Sequence, residues 1–286
     1  MPRGPELFKF RAPRVVHIYN IMIADFHNDF LTEGAGALRD FSRKTDAMVC
    51  ALYRGGRGTE EIGALLQKFG SERAANQFLG LEDAGYCFAF GIQKLARHRP
   101  VYASLTWNYE NELAGGCLED TGLKQKGAAA VRALTECGVT IDCAHLGQKA
   151  FRRVVDLTDD IADSHTCAAA VHAHPRNLED WQIGEIVARG GLVGIAFVGA
   201  FLSDAPCAED VFRHIDHCVQ KFGGDGFCIG TDFYGTNDLP RGAADYSEAE
   251  SLRSFFSRAG YDEKTIDKIF FENLKKFLDK KRHIVP

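Results

Sequence analysis

From residue 21 onward, short apolar runs alternate with longer amphipathic segments. The runs cover 21–26, 46–52, 76–82, 100–106, 139–144, 160–164, 192–197 and 227–231. Their length and content predict eight buried strands. Helix-like segments lie between them at 59–70, 86–97, 123–137, 147–156, 178–189 and 208–222, and three more, at 246–259, 263–270 and 271–280, follow the last strand. In 123–137 the apolar positions Leu123, Ala130, Val131 and Leu134 recur on one face, as an amphipathic helix requires. Gly138, Gly190-Gly191 and Gly223-Gly224 sit where helices should stop, because glycine accepts the left-handed backbone of a helix end.

Strands that alternate with helices pair in parallel through right-handed crossovers. Eight such units in about 250 residues predict a TIM (β/α)8 barrel. A doubly wound open sheet is the alternative, but no Gly-x-Gly-x-x-Gly follows a strand to mark a dinucleotide crevice. No repeat beyond the strand–helix rhythm and no linker interrupts the pattern, so residues 21–286 read as a single domain. Residues 1–20 carry three of the eight prolines and show no clean period. They read as an N-terminal extension outside the fold, with Met22 as an alternative start.

Composition narrows the function classes. Hydrophobic residues make up 45% and charged residues 26%, as in soluble globular proteins. A net charge of −5 without a basic stripe argues against a nucleic acid or an anionic membrane as partner. The one basic cluster, Lys275-Lys276 with Lys280-Lys281-Arg282, reads as a solvated helix face. Nine cysteines, an odd number with no Cys-x-x-Cys spacing, include Cys143 and Cys228 inside apolar runs. They read as free thiols in a reducing compartment, not as a disulfide frame or a zinc ribbon. There is no run of 18 apolar residues, no apolar leader and no hydrophobic C-terminal tail, so the expected location is cytoplasmic.

The candidate chemistry gathers at strand ends. The first strand ends in His27-Asn28-Asp29, where alternation puts both ligand-type side chains on one side. The third strand ends in Glu82, the fifth in His145, the sixth in His165 and the eighth in Asp232. In a barrel all six converge on the rim where the βα loops build active sites. Alone, each has an ordinary structural reading: a strand-end carboxylate caps the next helix, and a single histidine is hydrogen-bonded in place. Together, three histidines and two carboxylates suit a pair of divalent cations if one carboxylate bridges them. Asp232 is then free to move protons. Two metals can share a hydroxide and polarise a carbonyl, so the reaction class is metal-assisted hydrolysis of an amide or similar bond.

The segments FHNDFLTE, FLGLED, IDCAHL, DSHTCAAAVHAHPRN and IGTDFYG, in this order and spacing, resemble the membrane (renal) dipeptidase family of zinc metallopeptidases, of the amidohydrolase-like superfamily. The likeness runs from about residue 22 to 280 and includes IDHCVQKFGGDGFCIGTDF and Asn273. It implies a TIM barrel, a binuclear zinc centre, hydrolysis of dipeptides through a metal-bridging hydroxide, and a homodimer. Position by position, the resemblance assigns His27 and Asp29 to one zinc, Glu82 to both, and His145 and His165 to the other. It makes Asp232 the acid/base and gives Arg176, in PRN, the substrate carboxylate.

The sequence departs from the family in three places. Trp107, in SLTWNYEN, stands where better-known members have a substrate-contacting His after Leu-Thr, which leaves oxyanion stabilisation to the metals and the substrate preference open. The TWNYENELAGG segment resembles a form found in bacterial relatives. Tyr234 replaces the usual second Asp in IGTDFYG, and LEDAG lacks the GGH that often follows the bridging Glu. The remaining candidates have structural readings. His172 and His174 lie in the loop after the sixth strand, and Glu110 and Glu112 in a solvated loop beside Trp107. His214 and His217 share a helix on the outside of the barrel, His98 and His283 are surface residues, and Asn28 makes a structural hydrogen bond. Two other readings remain open: a related metal-dependent amidohydrolase acting on N-acyl amino acids or lactones, and a catalytically silent binding protein on the same scaffold.

Overall fold

A computed structural model describes residues 22–283. Eight parallel strands close into a barrel in sequence order. They are β1 (Ala24–Asn28), β2 (Ala47–Tyr53), β3 (Gln77–Glu82), β4 (Pro100–Ser104), β5 (Thr140–Asp142), β6 (Ile161–Thr166), β7 (Val193–Ile195) and β8 (Phe227–Ile229). Pairing of Asp25 on β1 with Ile229 on β8 closes the ring and excludes the open-sheet alternative. The extension over 1–20 lies outside the described residues, as do residue 21 and the side chains of Arg282 and His283.

Strand alternation sorts the core into two clusters. On β2, Met48, Cys50 and Leu52 pack outward with helix residues such as Ile62 and Leu66. Ala47 and Val49 face the barrel interior with Phe26, Val101 and Tyr102. Leu274, Phe277 and Leu278 of the closing helix Asn273–His283 join the interior cluster and plug the N-terminal end of the barrel. Asn273 fixes that helix to β8, with Nδ2 donating to Gly224 O at 2.7 Å and Phe227 O at 2.8 Å. The opposite, C-terminal end is left for chemistry.

The helix expected over 86–97 is broken. A 3-10 turn, Ala84–Tyr86, leads into Cys87–Phe90 and then Ile92–Ala96, because Gly91 at φ +97° takes a conformation no helix allows. The two closing helices are joined through a π turn, Lys268–Glu272. Gly138, Gly190 and Gly223 have the positive φ expected of helix stops. All nine cysteines are free. Among the described residues, no helix is long and apolar enough to cross a membrane.

Candidate metal centre

β1 delivers the first candidate ligand through an irregularity. Its register on β2 shifts between Asp25 and Asn28. Neighbouring residues Phe26 and His27 therefore both reach Tyr102, one ring edge-on at 5.5 Å and the other with Nδ1 2.8 Å from the phenol oxygen. Asp29 has left the strand and starts the short helix Phe30–Glu33. Asn28 points away and donates to Val49 O at 3.2 Å, the structural bond expected of it. His145 and Asp232 are non-glycine residues with φ of +67° and +61°. Such left-handed backbone costs about 1 kcal/mol or more and is kept where it aims a side chain. It is held by His145 O accepting from Cys117 N at 2.8 Å, and by Asp232 N donating to His27 O at 3.0 Å. A Cβ on Gly235 would come within 2.3 Å of Asp232 Oδ1 and 2.4 Å of Asp29 Oδ2, so only glycine lets the chain pass these carboxylates.

The six strand-end residues meet. His27 Nε2 lies 3.4 Å from Asp29 Oδ2, 3.5 Å from Glu82 Oε2 and 3.7 Å from Asp232 Oδ1. Glu82 turns its other oxygen, Oε1, to His145 Nε2 at 2.8 Å, and His145 Nε2 is 2.9 Å from His165 Nε2. Glu82 thus straddles the centre, with one oxygen toward His27 and the other toward His145. Two triads have ligand atoms within 4.8 Å of one another: His27, Glu82 and His165, and His27, Asp29 and Asp232. Among the described residues, His27 Nε2 and Asp29 Oδ1 are buried without a hydrogen-bond partner. Unpartnered buried polar atoms are costly, and a cation would satisfy both.

The electrostatics agree with that fit. Burial lifts the Asp29 carboxyl, helped by Glu82, and lifts Asp232 well above the ordinary range. Burial also acts on Glu82, but His145 and His27 outweigh it and hold its carboxyl below the usual value. His27 is raised despite burial by Asp29 and Glu82. Burial lowers His145 to about 4, with Arg176 adding to the effect, and takes His165 well below its ordinary value, with His27 adding to it. Three carboxylates and three imidazoles therefore share too little positive charge. Divalent cations with N and O ligands would supply it.

Hydrogen bonds behind the ligands set the rings. Asn108 Oδ1 meets His145 Nδ1 at 2.7 Å. Ser164 Oγ lies 2.8 Å from His165 Nδ1 and 2.6 Å from Asp142 Oδ2. Sequence reasoning missed Asn108, Tyr102, Asp142 and Ser164 as parts of the site. The signal was adjacency: Ser164 precedes His165, and Asp142 opens the segment that ends in His145.

The rim residues divide. Trp107 stands at the mouth, its ring 5.9 Å from His145, 5.8 Å from Tyr53 and 6.3 Å from Tyr109. Its loop is pinned by Asn111, which donates to Asp83 Oδ1 and Leu105 O, both at 2.7 Å. Gly116 packs so tightly beneath that a Cβ there would meet Trp107 O at 2.2 Å. Arg176 is buried and so is no surface ion pair. Nη2 donates to His165 O at 2.9 Å, and Nε faces no partner among the described residues. Arg176 lines a cavity of about 260 Å³ with Cys117, Asp120, Asn177 and Gln182.

The other candidates are structural. Tyr234 is exposed and rests on Phe30 and Phe41 at 5.1 and 5.3 Å. His214 is buried, accepts from Ala168 N at 3.0 Å and donates to Leu202 O at 3.0 Å, while His217 pairs with Asp180 at 2.8 Å. His174 accepts from Arg176 N at 3.2 Å. Glu110 and Glu112 pair with Lys124 and Arg54 at 2.8 and 3.1 Å.

Comparison with known proteins gives a family match and a shared fold. The sequence profile of the membrane dipeptidases, peptidase family M19, matches residues 91–284. The uncharacterized protein in the pqqA 5′ region of Klebsiella pneumoniae is 31% identical over 183 residues, covering 58% of this chain and 67% of that one. A dipeptidase AC, a metallopeptidase of family M19, superposes with a TM-score of 0.76 at 22% identity, covering 92% of this chain and 99% of its own. A metallopeptidase from Rhodobacter sphaeroides, liganded with a phosphinate mimic of the dipeptide L-Ala-D-Ala, gives 0.74 at 21% identity, covering 91% and 99%.

Proposed function

Because the chain belongs to the membrane dipeptidase family, peptidase family M19, we propose that it is a zinc-dependent dipeptidase with a binuclear centre. The observation that carries this reading is the convergence of His27, Asp29, Glu82, His145 and His165, with the two Glu82 oxygens turned to different histidines. His27 and Asp29 would hold one cation, His145 and His165 the other, and Glu82 both. When bound, such a pair polarises the scissile carbonyl and activates water; manganese and cobalt share these ligand preferences with zinc.

The chain's own residues supply the rest. Asp232, its carboxyl lifted by burial and by Asp29 and Glu82, can take the proton of the attacking water and pass it to the leaving amine. The Arg176 guanidinium, with Nε unspent, receives the terminal carboxylate of the substrate, and a carboxylate one residue beyond the scissile bond limits the substrate to dipeptides. Trp107 walls the mouth over His145 and contacts substrate through its ring. With Trp107 in the place of the family's usual histidine, oxyanion stabilisation would fall to the cations. The dipeptide mimic bound by the Rhodobacter sphaeroides protein supports this substrate class. The nine free thiols support a cytoplasmic location, and the active species is taken to be a homodimer.

Trp107 also favours a second reading, in which the same centre hydrolyses an N-acyl amino acid or a lactone. Arg176→Ala separates the two. For a dipeptidase it should raise KM at least tenfold for dipeptides, the loss of one charge-assisted pair, with a smaller change in kcat. Unchanged dipeptide turnover together with lactone hydrolysis would establish the second reading.

A further inference from the structure

Beneath the ring of ligands lies a network whose proton count is fixed by its donors. Ser164 Oγ is 2.6 Å from Asp142 Oδ2, 2.8 Å from His165 Nδ1 and 3.2 Å from His27 Nδ1. Tyr102 Oη is 2.8 Å from the same His27 nitrogen. Tyr102, Asp142 and Ser164 are each buried to 1% exposure or less. Asp142 Oδ1 is occupied by two backbone donors, Ser164 N at 2.8 Å and Ala144 N at 3.1 Å. Those N–H groups cannot turn away, so the carboxylate has one orientation and Oδ2 is left for the hydroxyl.

A serine hydroxyl has one proton to give and two lone pairs with which to accept. Two backbone N–H groups and the hydroxyl all face this carboxyl as donors, so the serine proton goes to Asp142 Oδ2. Toward the two imidazoles Ser164 can then only accept. His165 Nδ1 has Ser164 as its partner at 2.8 Å and must therefore carry hydrogen, so that ring is held as the Nδ1–H tautomer with the Nε2 lone pair aimed at the rim; His27 Nδ1 lies nearer the Tyr102 hydroxyl, which can give or take the proton. Gly80 makes room for the remaining member, since a Cβ there would lie 2.4 Å from the Tyr102 ring.

We propose that Asp142 and Ser164 are a positioning pair that locks His165 in the tautomer able to bind metal, so that this ligand is preset before a cation arrives. This rests on reading His165 as a ligand; it does not depend on which substrate is hydrolysed. Neither residue touches substrate or cation.

Asp142→Asn tests the lock with a change of one atom. The amide oxygen must stay under the two backbone N–H groups, so the NH2 faces Ser164 Oγ and donates to it. The hydroxyl proton is thereby turned onto His165 Nδ1, the nearer ring nitrogen, and that ring must take the Nε2–H form, which cannot ligate. Ser164→Ala merely removes the acceptor. In the double variant no hydroxyl proton is left to misdirect.

Nitrogen-15 shifts of histidine-labelled, metal-free protein report which ring nitrogen of His165 carries the proton. Competition against a chelator reports zinc affinity. The expected result is Nδ1–H in the wild type and Nε2–H in Asp142→Asn. Zinc affinity should fall about 10- to 100-fold in Asp142→Asn, less in Ser164→Ala, and recover in part in the double variant. An Nε2–H ring in the wild type, or an Asp142→Asn protein with unchanged tautomer and affinity, overturns the lock. Should circular dichroism show Asp142→Asn unfolded, the wild-type tautomer and the affinity of Ser164→Ala decide. Nδ1–H in the wild type and weaker zinc binding in Ser164→Ala support the lock, and either result absent overturns it. A wild-type protein with His165 as Nδ1–H that takes up no divalent cation supports the tautomer assignment and overturns the metal centre instead.

Discussion

Asp25 and Asp29 are both buried and belong to the same strand and its end, yet they are used in opposite ways. Asp25 is saturated. It accepts from Thr231 N at 2.8 Å, Thr231 Oγ1 at 2.9 Å, Asn28 Nδ2 and His27 N, both at 3.3 Å, and the Tyr246 hydroxyl. Asp29 Oδ1 accepts from nothing among the described residues. Histidines repeat the contrast. His214 uses both ring nitrogens on backbone groups, whereas His27 Nε2 has no hydrogen-bond partner among the described residues. A buried polar group with every bond made serves the fold. One left open at a convergent rim is available to a ligand.

The comparison breaks most sharply at Asp232, which belongs with the open group. Asp232→Asn should lower kcat by about 10²- to 10⁴-fold, the worth of a general acid/base, with zinc content and melting temperature nearly unchanged. A variant within threefold of wild type would remove it from the chemistry. Next in size is Asp25→Ala, which strands the donors around it. It should destabilise the metal-free protein by about 3 kcal/mol in urea unfolding. Asp29→Asn should leave metal-free stability within about 1 kcal/mol, since the amide keeps one acceptor oxygen and relieves repulsion with Glu82, and should weaken zinc binding instead. If the two variants exchanged phenotypes, the distinction between saturated and open carboxylates would be wrong.

A smaller effect concerns His214. Burial lowers it to about 4, the Leu202 carbonyl opposing only in part. Its folded value lies below the ordinary 6.5, so the unfolded chain takes up the proton first as pH falls. The stability it contributes is full above pH 6.5 and is lost on descent toward pH 4. Over that window the loss is about 3 kcal/mol. His214→Gln should flatten the pH dependence of metal-free unfolding by that amount, and parallel curves for the two proteins would contradict it. The smallest effect falls at the mouth. Trp107→Ala should change stability by less than about 0.5 kcal/mol, as for an exposed side chain, while shifting KM severalfold for substrates with bulky apolar side chains.

Most of the fold was legible because its signal is periodic. Eight apolar runs became eight strands, and the ligand-type residues beyond them met because a barrel forces strand ends together. The break at Gly91 was hidden because its flanks kept a helical pattern and only the backbone angle shows the stop. The partly used site residues were harder to see. Asp142 and Ser164 sit inside strands, where a polar residue reads as a structural hydrogen bond. Their reach to His27 and His165 depends on neighbours across the sheet that no spacing along the chain reveals. Asn108 was obscured by the loop that carries it, whose course is set by Asn111 and the glycines at 115–116. Conversely, His214 and His217 have a spacing that could hold a metal, and the structure assigns both rings to other partners.

The central claim is that the open ligands of the rim hold the cations that hydrolyse dipeptides. The most direct measurement is hydrolysis of a dipeptide library by purified protein before chelation, after chelation, and after reloading with zinc, with metal content read in parallel. The expected result is turnover that is lost with the metal and returns on reloading, with two cations bound per chain and tripeptides untouched. Hydrolysis that persists in metal-free protein, or a protein that takes up zinc and cleaves no dipeptide, would contradict the account.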